Sequence, residues 1–188
     1  MRRAISLALM TALLLCGCGN DARQREMAEK ARLSVENGAQ LTADVTADLG
    51  EETFSFTAEC TVSTESAVIK IVSPDIIAGV TARIGRDGAG LEFDGLILDL
   101  GSLAEGGYGP LGALDLLLRT LLSGPVTESF EQDGMLAVQS YADESSYALI
   151  WYGEEDLKPV HAELITNGRE VLSCRISDFS PLQGEKEG

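Results

Sequence analysis

The chain has 188 residues, with 14 basic and 30 acidic side chains and a formal net charge of −16. Such an acidic surface repels phosphate backbones, so we expect no nucleic-acid partner. Hydrophobic residues make up 45% of the chain and aromatic residues 5%, a composition typical of a globular domain and not of a disordered one.

Residues 1–18 have the features of a bacterial lipoprotein signal. Arg2 and Arg3 precede an apolar stretch that extends to Cys16, and Gly17-Cys18 follows. A positive start, an apolar run of about 7–15 residues and small residues before the cut define an export signal. The spacing resembles that of bacterial lipoproteins, which implies cleavage after Gly17 and acylation of Cys18, for example with palmitate.

The lipid would anchor the chain in the cell envelope, on the extracytoplasmic face of a bacterial membrane. The alternatives are a signal without a lipid and an apolar helix that stays as an anchor, although a spanning helix needs about 20 apolar residues. The sequence then divides into a signal peptide over 1–17, a tether with a short helix over 18–38, one folded domain over 39–180 and a disordered polar tail over 181–188.

The first element of the mature chain is a helix predicted over residues 21–36. Met27, Ala31 and Val35 recur four residues apart on one side of it, and Asn37-Gly38 supplies a stop signal. The alternative is a disordered tether that leads away from the lipid.

After Gly38 the hydrophobic period changes from helical to two, which predicts strands with one solvated face. Asp-Gly or Asn-Gly pairs, which are tight-turn signals, separate several of them. The pattern predicts an antiparallel meander of about nine or ten strands. The strand segments are 41–49, 54–62, 67–72, 80–84, 91–93, 96–100, 128–131, 135–141, 147–152, 159–166 and 170–179.

One segment departs from the strand pattern. Residues 111–123 lie between glycine- and proline-containing stretches and contain seven leucines. At 100° per residue most of these leucines fall on one half of a helix, whereas Leu116 lies outside that half and Asp115 and Arg119 face away as an i,i+4 pair. A helix with such a face must bury it, and the sheet is the only surface available.

This arrangement resembles the bacterial lipoprotein-carrier and sorting family (LolA-like), including its lipid-anchored branch. The resemblance lies in residues 71–80, in Leu91-Glu92-Phe93-Asp94-Gly95-Leu96 and in Lys158-Pro159. It implies a mainly β fold, in which a curved antiparallel half-barrel carries an N-terminal helix and a Leu-rich helix over its concave face. The residues expected at an apolar cavity or its lid are Phe54, Phe56, Leu114, Leu117, Leu118 and Leu121.

The chain also departs from the family pattern. Soluble carriers of the family are free proteins with aromatic residues and an arginine on the concave face. This chain is itself anchored, is poor in aromatic residues and lacks an obvious equivalent of that arginine. The resemblance therefore supports the fold better than it supports a carrier activity.

The remaining reactive side chains do not indicate an enzyme. Cys60 and Cys174 both lie in strand patterns and form either a disulfide or two buried thiols. No Cys or His spacing suits zinc, and we expect no metal or cofactor. The single histidine, His161, alternates outward with Glu163 and has no placed nucleophile beside it.

Two functions from different classes remain. The first is a module that binds a lipid or an acylated lipoprotein in an apolar cavity, because apolar ligands need a concave apolar site with few polar groups. The second is a tethered structural or interaction protein, whose outer face meets another envelope protein. The sequence leaves the ligand and the partner open.

Overall fold

The computed structural model describes residues 18–48, 50–101 and 109–183. The predicted signal peptide, with its cleavage site at Gly17, lies outside the described residues. Two helices are described, α1 (Cys18–Leu33) and α2 (Pro110–Ser123). The strands are β1 (Ala39–Asp48), β2 (Thr53–Val62), β3 (Ala67–Ser73), β4 (Thr81–Gly85), β5 (Gly88–Phe93), β6 (Leu96–Gly101), β7 (Val126–Gln132), β8 (Met135–Tyr141), β9 (Ser146–Tyr152), β10 (Pro159–Thr166) and β11 (Arg169–Pro181).

All eleven described strands form one antiparallel sheet. Their order is β6-β5-β4-β3-β2-β1-β11-β10-β9-β8-β7, so β1 and β11 meet in the middle and β6 and β7 are the edges. The predicted meander is confirmed. It has eleven strands in place of the expected nine or ten, and they correspond to the eleven strand segments of the sequence pattern, including the three short strands within residues 81–101.

Alternation along the strands gives the sheet an apolar concave face and a polar convex face. In β1, Leu41, Ala43 and Val45 are buried, while the residues between them are exposed or only partly covered. Directly opposed residues share a face, so the buried set of β1 continues into Cys60, Ala58 and Phe56 of β2. The curved, unclosed sheet is the predicted half-barrel.

Helix α2 follows β6 and precedes β7, so it connects the two edges across the concave face. Its leucines Leu114, Leu117, Leu118 and Leu121 are buried in the core beneath it. The predicted Leu-rich helix over the concave face is therefore confirmed. Among the described residues, no helix combines the length and the apolar character needed to cross a membrane.

Helix α1 packs against β7 and β8 at one edge of the sheet and buries Ala28 and Ala31, and Val35 is buried in the turn that follows the helix. It ends at Leu33, and a turn leads to Gly38, whose φ of +112° is rare for residues with a side chain. A Cβ at Gly38 would also collide with the carbonyl oxygen of Val62. The stop signal read at this glycine therefore reflects both its backbone conformation and a close approach of two strands.

The two buried cysteines do not form a disulfide. Both are free thiols, and β1 lies between their strands: Cys60 is opposite Leu41, and Cys174 is opposite Val45. Strands two apart in a sheet are roughly 10 Å apart, beyond the Cα separation of about 7 Å that a disulfide tolerates. Of the two alternatives, the structure shows the pair of core thiols.

The ordered chain also extends into the segment predicted as a disordered tail. Strand β11 continues to Pro181, and the backbone N–H of Leu182 donates to the carbonyl oxygen of Gly38 over 2.9 Å. The tail prediction for residues 181–188 is therefore wrong at its start, because these residues complete the pairing beside β1. Residues 184–188 lie outside the described part of the chain.

Candidate functional site

An apolar opening lies between strands β4 and β5 and the first turn of α2. Its volume is about 220 Å³. None of the described residues that line it carries a charge or a titratable group. They are Ala82, Ile84, Ala89, Gly90, Leu91, Gly109, Pro110, Leu111 and Gly112.

The opening exists because small residues meet there. The leucine-packed part of α2 begins at Leu114, whereas the first turn presents Gly112 next to Leu111. On the sheet side, Ala82 and Ala89 offer only methyl groups. The two surfaces therefore leave a gap that longer side chains would fill, as they do along the rest of the helix.

The concave apolar surface continues from the opening toward the β6 edge. Leu91 is opposite Leu98, and Phe93 is opposite Leu96, so all four side chains lie on the concave face. The side chain of Leu91 is partly buried, but the other three are exposed. Together they form the apolar strip, a surface that leads from the opening to the edge of the sheet.

An ion pair fixes α2 beside the opening. Arg119 Nε contacts Asp115 Oδ2 at 2.9 Å, and Arg119 Nη2 donates to the carbonyl oxygen of Ile84 at 3.3 Å. Burial raises the pKa of Asp115, and the adjacent guanidinium counteracts this rise. The sequence correctly placed this pair off the leucine face. The pair is nevertheless largely shielded from solvent, because the side chains of Arg119 and Asp115 are only 27% and 13% exposed.

The six residues predicted at a cavity or lid lie away from the apolar opening. Phe56, Leu114, Leu117, Leu118 and Leu121 are buried in the core. Phe54 is 38% exposed and lies near Pro110, at the rim of a separate open depression. None of these six residues belongs to the lining of the opening, and their role as a cavity or lid stays a prediction.

Sequence reasoning missed the lining residues because alanine and glycine within strands look like ordinary strand residues. One signal could have found them. Gly112 interrupts the leucine run directly after Pro110, and a glycine inside a helix is unfavourable by about 1 kcal/mol relative to alanine. A glycine at such a position leaves space beside the helix, and Gly112 does line the opening.

The convex face carries a different, polar hollow over the central strands. Its volume is about 460 Å³, and its lining includes Asp44, Thr57, Ser73, His161 and Arg175. The ring of His161 packs on Trp151 with centroids 5.0 Å apart, and its Nε2 lies 3.1 Å from Glu163 Oε1. His161 therefore lies on the outward face, as expected, although neighbours cover part of it.

The two buried cysteines are not activated by their surroundings. Burial raises the pKa of the Cys60 thiol and of the Cys174 thiol to about 12 in each case, so both stay protonated and poorly nucleophilic. Within the described ranges, no three His, Cys, Asp or Glu side chains cluster as metal ligands.

Comparison with known proteins gives similarities of structure only, since neither a protein-family model nor a curated protein matches the sequence. A LolA superfamily protein from Nitrosomonas europaea is 11% identical, with a TM-score of 0.44 over 85% of this chain and 93% of that chain. The lipoprotein LppX from Mycobacterium tuberculosis is 16% identical, with a TM-score of 0.44 over 86% and 96%. A chain from the complex of the CwlD amidase with the GerS lipoprotein of Clostridioides difficile is 13% identical, with a TM-score of 0.47 over 84% and 94%.

The curved sheet with two helices on its concave side is the architecture that the sequence resemblance implied. The fold is consistent with the predicted LolA-like half-barrel. Within this fold, the apolar opening and the polar hollow lie on opposite faces of one sheet.

Proposed function

We propose that this protein is a lipid-anchored domain on the extracytoplasmic side of a membrane, and that it binds the acyl chain of a lipid or an acylated lipoprotein. The apolar opening beside β4 and β5 carries this proposal. Its described lining residues are apolar, and the opening continues into an exposed apolar strip, which is what a flexible hydrocarbon chain needs.

The volume of the opening suits part of an acyl chain and not a whole lipid ligand. An apolar cavity of about 150 Å³ holds benzene, whereas sites that enclose drug-sized ligands measure about 300–1,000 Å³. At about 220 Å³, the opening takes the end of an acyl chain, and the rest lies along Leu91 and Leu98. Burial of six methylene groups would contribute about 5 kcal/mol at about 0.8 kcal/mol each.

The same geometry favours binding over catalysis. The described residues that line the opening offer no acid, base or nucleophile. His161 lies on the opposite face of the sheet, where Glu163 and Trp151 hold its ring. We propose a binding module and not an enzyme.

A second candidate function is supported by the polar hollow on the convex face. Arg175 lies in it, and no hydrogen bond or ion pair to a described residue engages its guanidinium; the neighbouring Asp44 carboxylate accepts from the Thr57 hydroxyl at 2.8 Å. An unengaged guanidinium suits a carboxylate or phosphate of a partner. This face would contact an envelope protein, and such contact is compatible with acyl binding on the other face.

The experiment for the acyl site compares two alanine-to-leucine variants of the full chain. Ala89→Leu adds bulk inside the opening, and Ala22→Leu adds the same bulk on the exposed side of α1. Each protein is purified in mild detergent, extracted with organic solvent and assayed by mass spectrometry for non-covalently bound acyl chains. Titration with a fluorescent fatty acid then gives the affinity.

We expect the wild type and Ala22→Leu to carry and bind acyl chains, and Ala89→Leu to lose most of both at unchanged stability. Equal binding by the two variants would contradict the position of the site. A wild-type protein that neither carries nor binds acyl chains would contradict the function itself.

A further inference from the structure

The apolar opening lies in a part of the chain where the positive charges are already neutralised. Residues 81–123, which contain β4, β5, β6 and α2, have three basic and six acidic side chains. Arg83, Arg86 and Arg119 each form an ion pair with a carboxylate. Residues 102–108 lie outside the described part of the chain, but their sequence contains neither lysine nor arginine. These elements therefore have no basic side chain left over for a ligand.

The other described basic side chains lie away from the opening. Lys70 and Arg175 are on the convex face, on the opposite side of the sheet. Those of α1 lie at the β7 edge, while Lys158 and Arg169 are ion-paired. Proteins bind carboxylates and phosphates mainly through guanidinium and ammonium groups. Near the opening, an anionic head group would find no such group to bind among the described residues.

Both exits from the opening carry acidic side chains. At Pro110 the opening adjoins the open depression that Glu51 and Glu52 line. In the other direction, the apolar strip leads to the turn between β5 and β6, which carries Asp94. Since the opening takes only the end of an acyl chain, the polar end of the ligand lies outside it, toward one of these exits.

We propose that the acyl ligand has a polar end without negative charge, as in an acylglycerol, and that the acidic surroundings of the opening disfavour fatty acids and anionic phospholipids. This inference rests on the proposed acyl site and names the class of ligand that the site takes. A carboxylate about 10 Å from an anion in water weakens binding of that anion about twofold, and it favours a cation to the same extent. Fatty acids still bind through their chains, but less tightly than uncharged esters of the same chain.

The test compares three ligands that share one fluorescent alkyl chain and end in a carboxylate, a glycerol ester or an amine. The acid and the amine each carry one full charge, so their difference reports the sign of the charge and not the apolar character of the ligand. Each ligand is titrated into the full chain in non-ionic detergent at low salt. Only the binding that Ala89→Leu removes is counted, because this substitution fills the opening.

Two double variants locate the charges that matter. Glu51→Gln with Glu52→Gln removes two carboxylates at the Pro110 exit. Glu154→Gln with Glu155→Gln is the matched control, because it removes the same charge from an exposed loop between β9 and β10. Both variants change the net charge of the protein equally, so a difference between them isolates the effect of position.

We expect the amine to bind about tenfold more tightly than the acid, with the ester between them, since two carboxylates act in opposite directions on the two charges. The Glu51→Gln/Glu52→Gln variant should lose most of this preference and the control variant should keep it, while high salt should reduce it in the wild type. An acid that binds as tightly as the amine would overturn the inference, as would equal losses of preference in the two double variants. Failure of all three ligands to bind would instead contradict the acyl site itself.

Discussion

We expect the leucine face of α2 to be a permanent part of the core and not a hinged lid, and Leu117→Ala tests this. Leu114, Leu117, Leu118 and Leu121 are at most 2% exposed. At about 1.5–3 kcal/mol for each buried leucine, exposing all four would cost about 6–12 kcal/mol. That is comparable to the whole stability of an ordinary domain, about 5–15 kcal/mol. We therefore expect that the helix does not leave the sheet unless the domain unfolds.

Leu117→Ala should lower the free energy of unfolding by about 2–5 kcal/mol, the range measured for truncating buried leucines. In a chain of this size, a loss of 3 kcal/mol lowers Tm by roughly 6–12 °C. Urea denaturation followed by circular dichroism measures the change. Leu33→Ala, on the exposed side of α1, is the control and should stay within about 0.5 kcal/mol of the wild type.

A Leu117→Ala protein that keeps its stability but loses binding of a fluorescent fatty acid would refute a permanent core position for this helix. It would show that the leucine face is a ligand surface that opens. Hydrogen exchange gives a second readout. We expect the amides of residues 114–122 to be protected as strongly as those of the central strands, with or without lipid.

Three further predictions concern other parts of the chain. With pKa values near 12, the Cys60 and Cys174 thiols should not react with maleimide at pH 8 until denaturant is added; labelling of the native protein would contradict their burial. Cys18→Ala should abolish retention in the membrane, and labelled palmitate incorporated equally into the variant would refute acylation at this residue. Gly38→Ala should destabilise the fold by more than about 1 kcal/mol. The loss should exceed that of Gly79→Ala, because Gly79 also has a positive φ but has no neighbour within 4 Å of an added Cβ. Equal losses of stability would exclude a clash between the Cβ at position 38 and the Val62 carbonyl oxygen.

Local patterns in the sequence predicted the elements of the fold well. The period of two in β1 and β2, and the Asp-Gly and Asn-Gly turns, located the strands because each signal lies within a few residues. Likewise, Pro110 and Gly124 bound the Leu-rich helix within one residue of its observed limits. The pairing of β1 with β11 joins distant parts of the chain, so no local sequence signal predicts it.

The candidate sites were harder to predict, because they depend on tertiary contacts. The hydrogen bond from Arg119 to Ile84 joins residues 35 positions apart. The opening is bounded in part by alanine and glycine residues, whose contribution is the absence of side-chain atoms. A continuous apolar run such as that of β6 is typical of a strand buried on both faces, yet β6 is an edge strand that exposes both.

The position of the opening also determines which part of the protein can adapt to a ligand. The buried leucines hold α2 from Leu114 onward, and the Arg119 contact to the Ile84 carbonyl fixes the helix to β4. On the other wall, β5 and β6 are short strands at the edge of the sheet, and β6 is covered by no helix or further strand among the described residues. Fewer buried contacts mean a smaller free energy of local opening. An acyl chain too long for the opening would therefore be accommodated by movement of β5 and β6, and not by movement of α2.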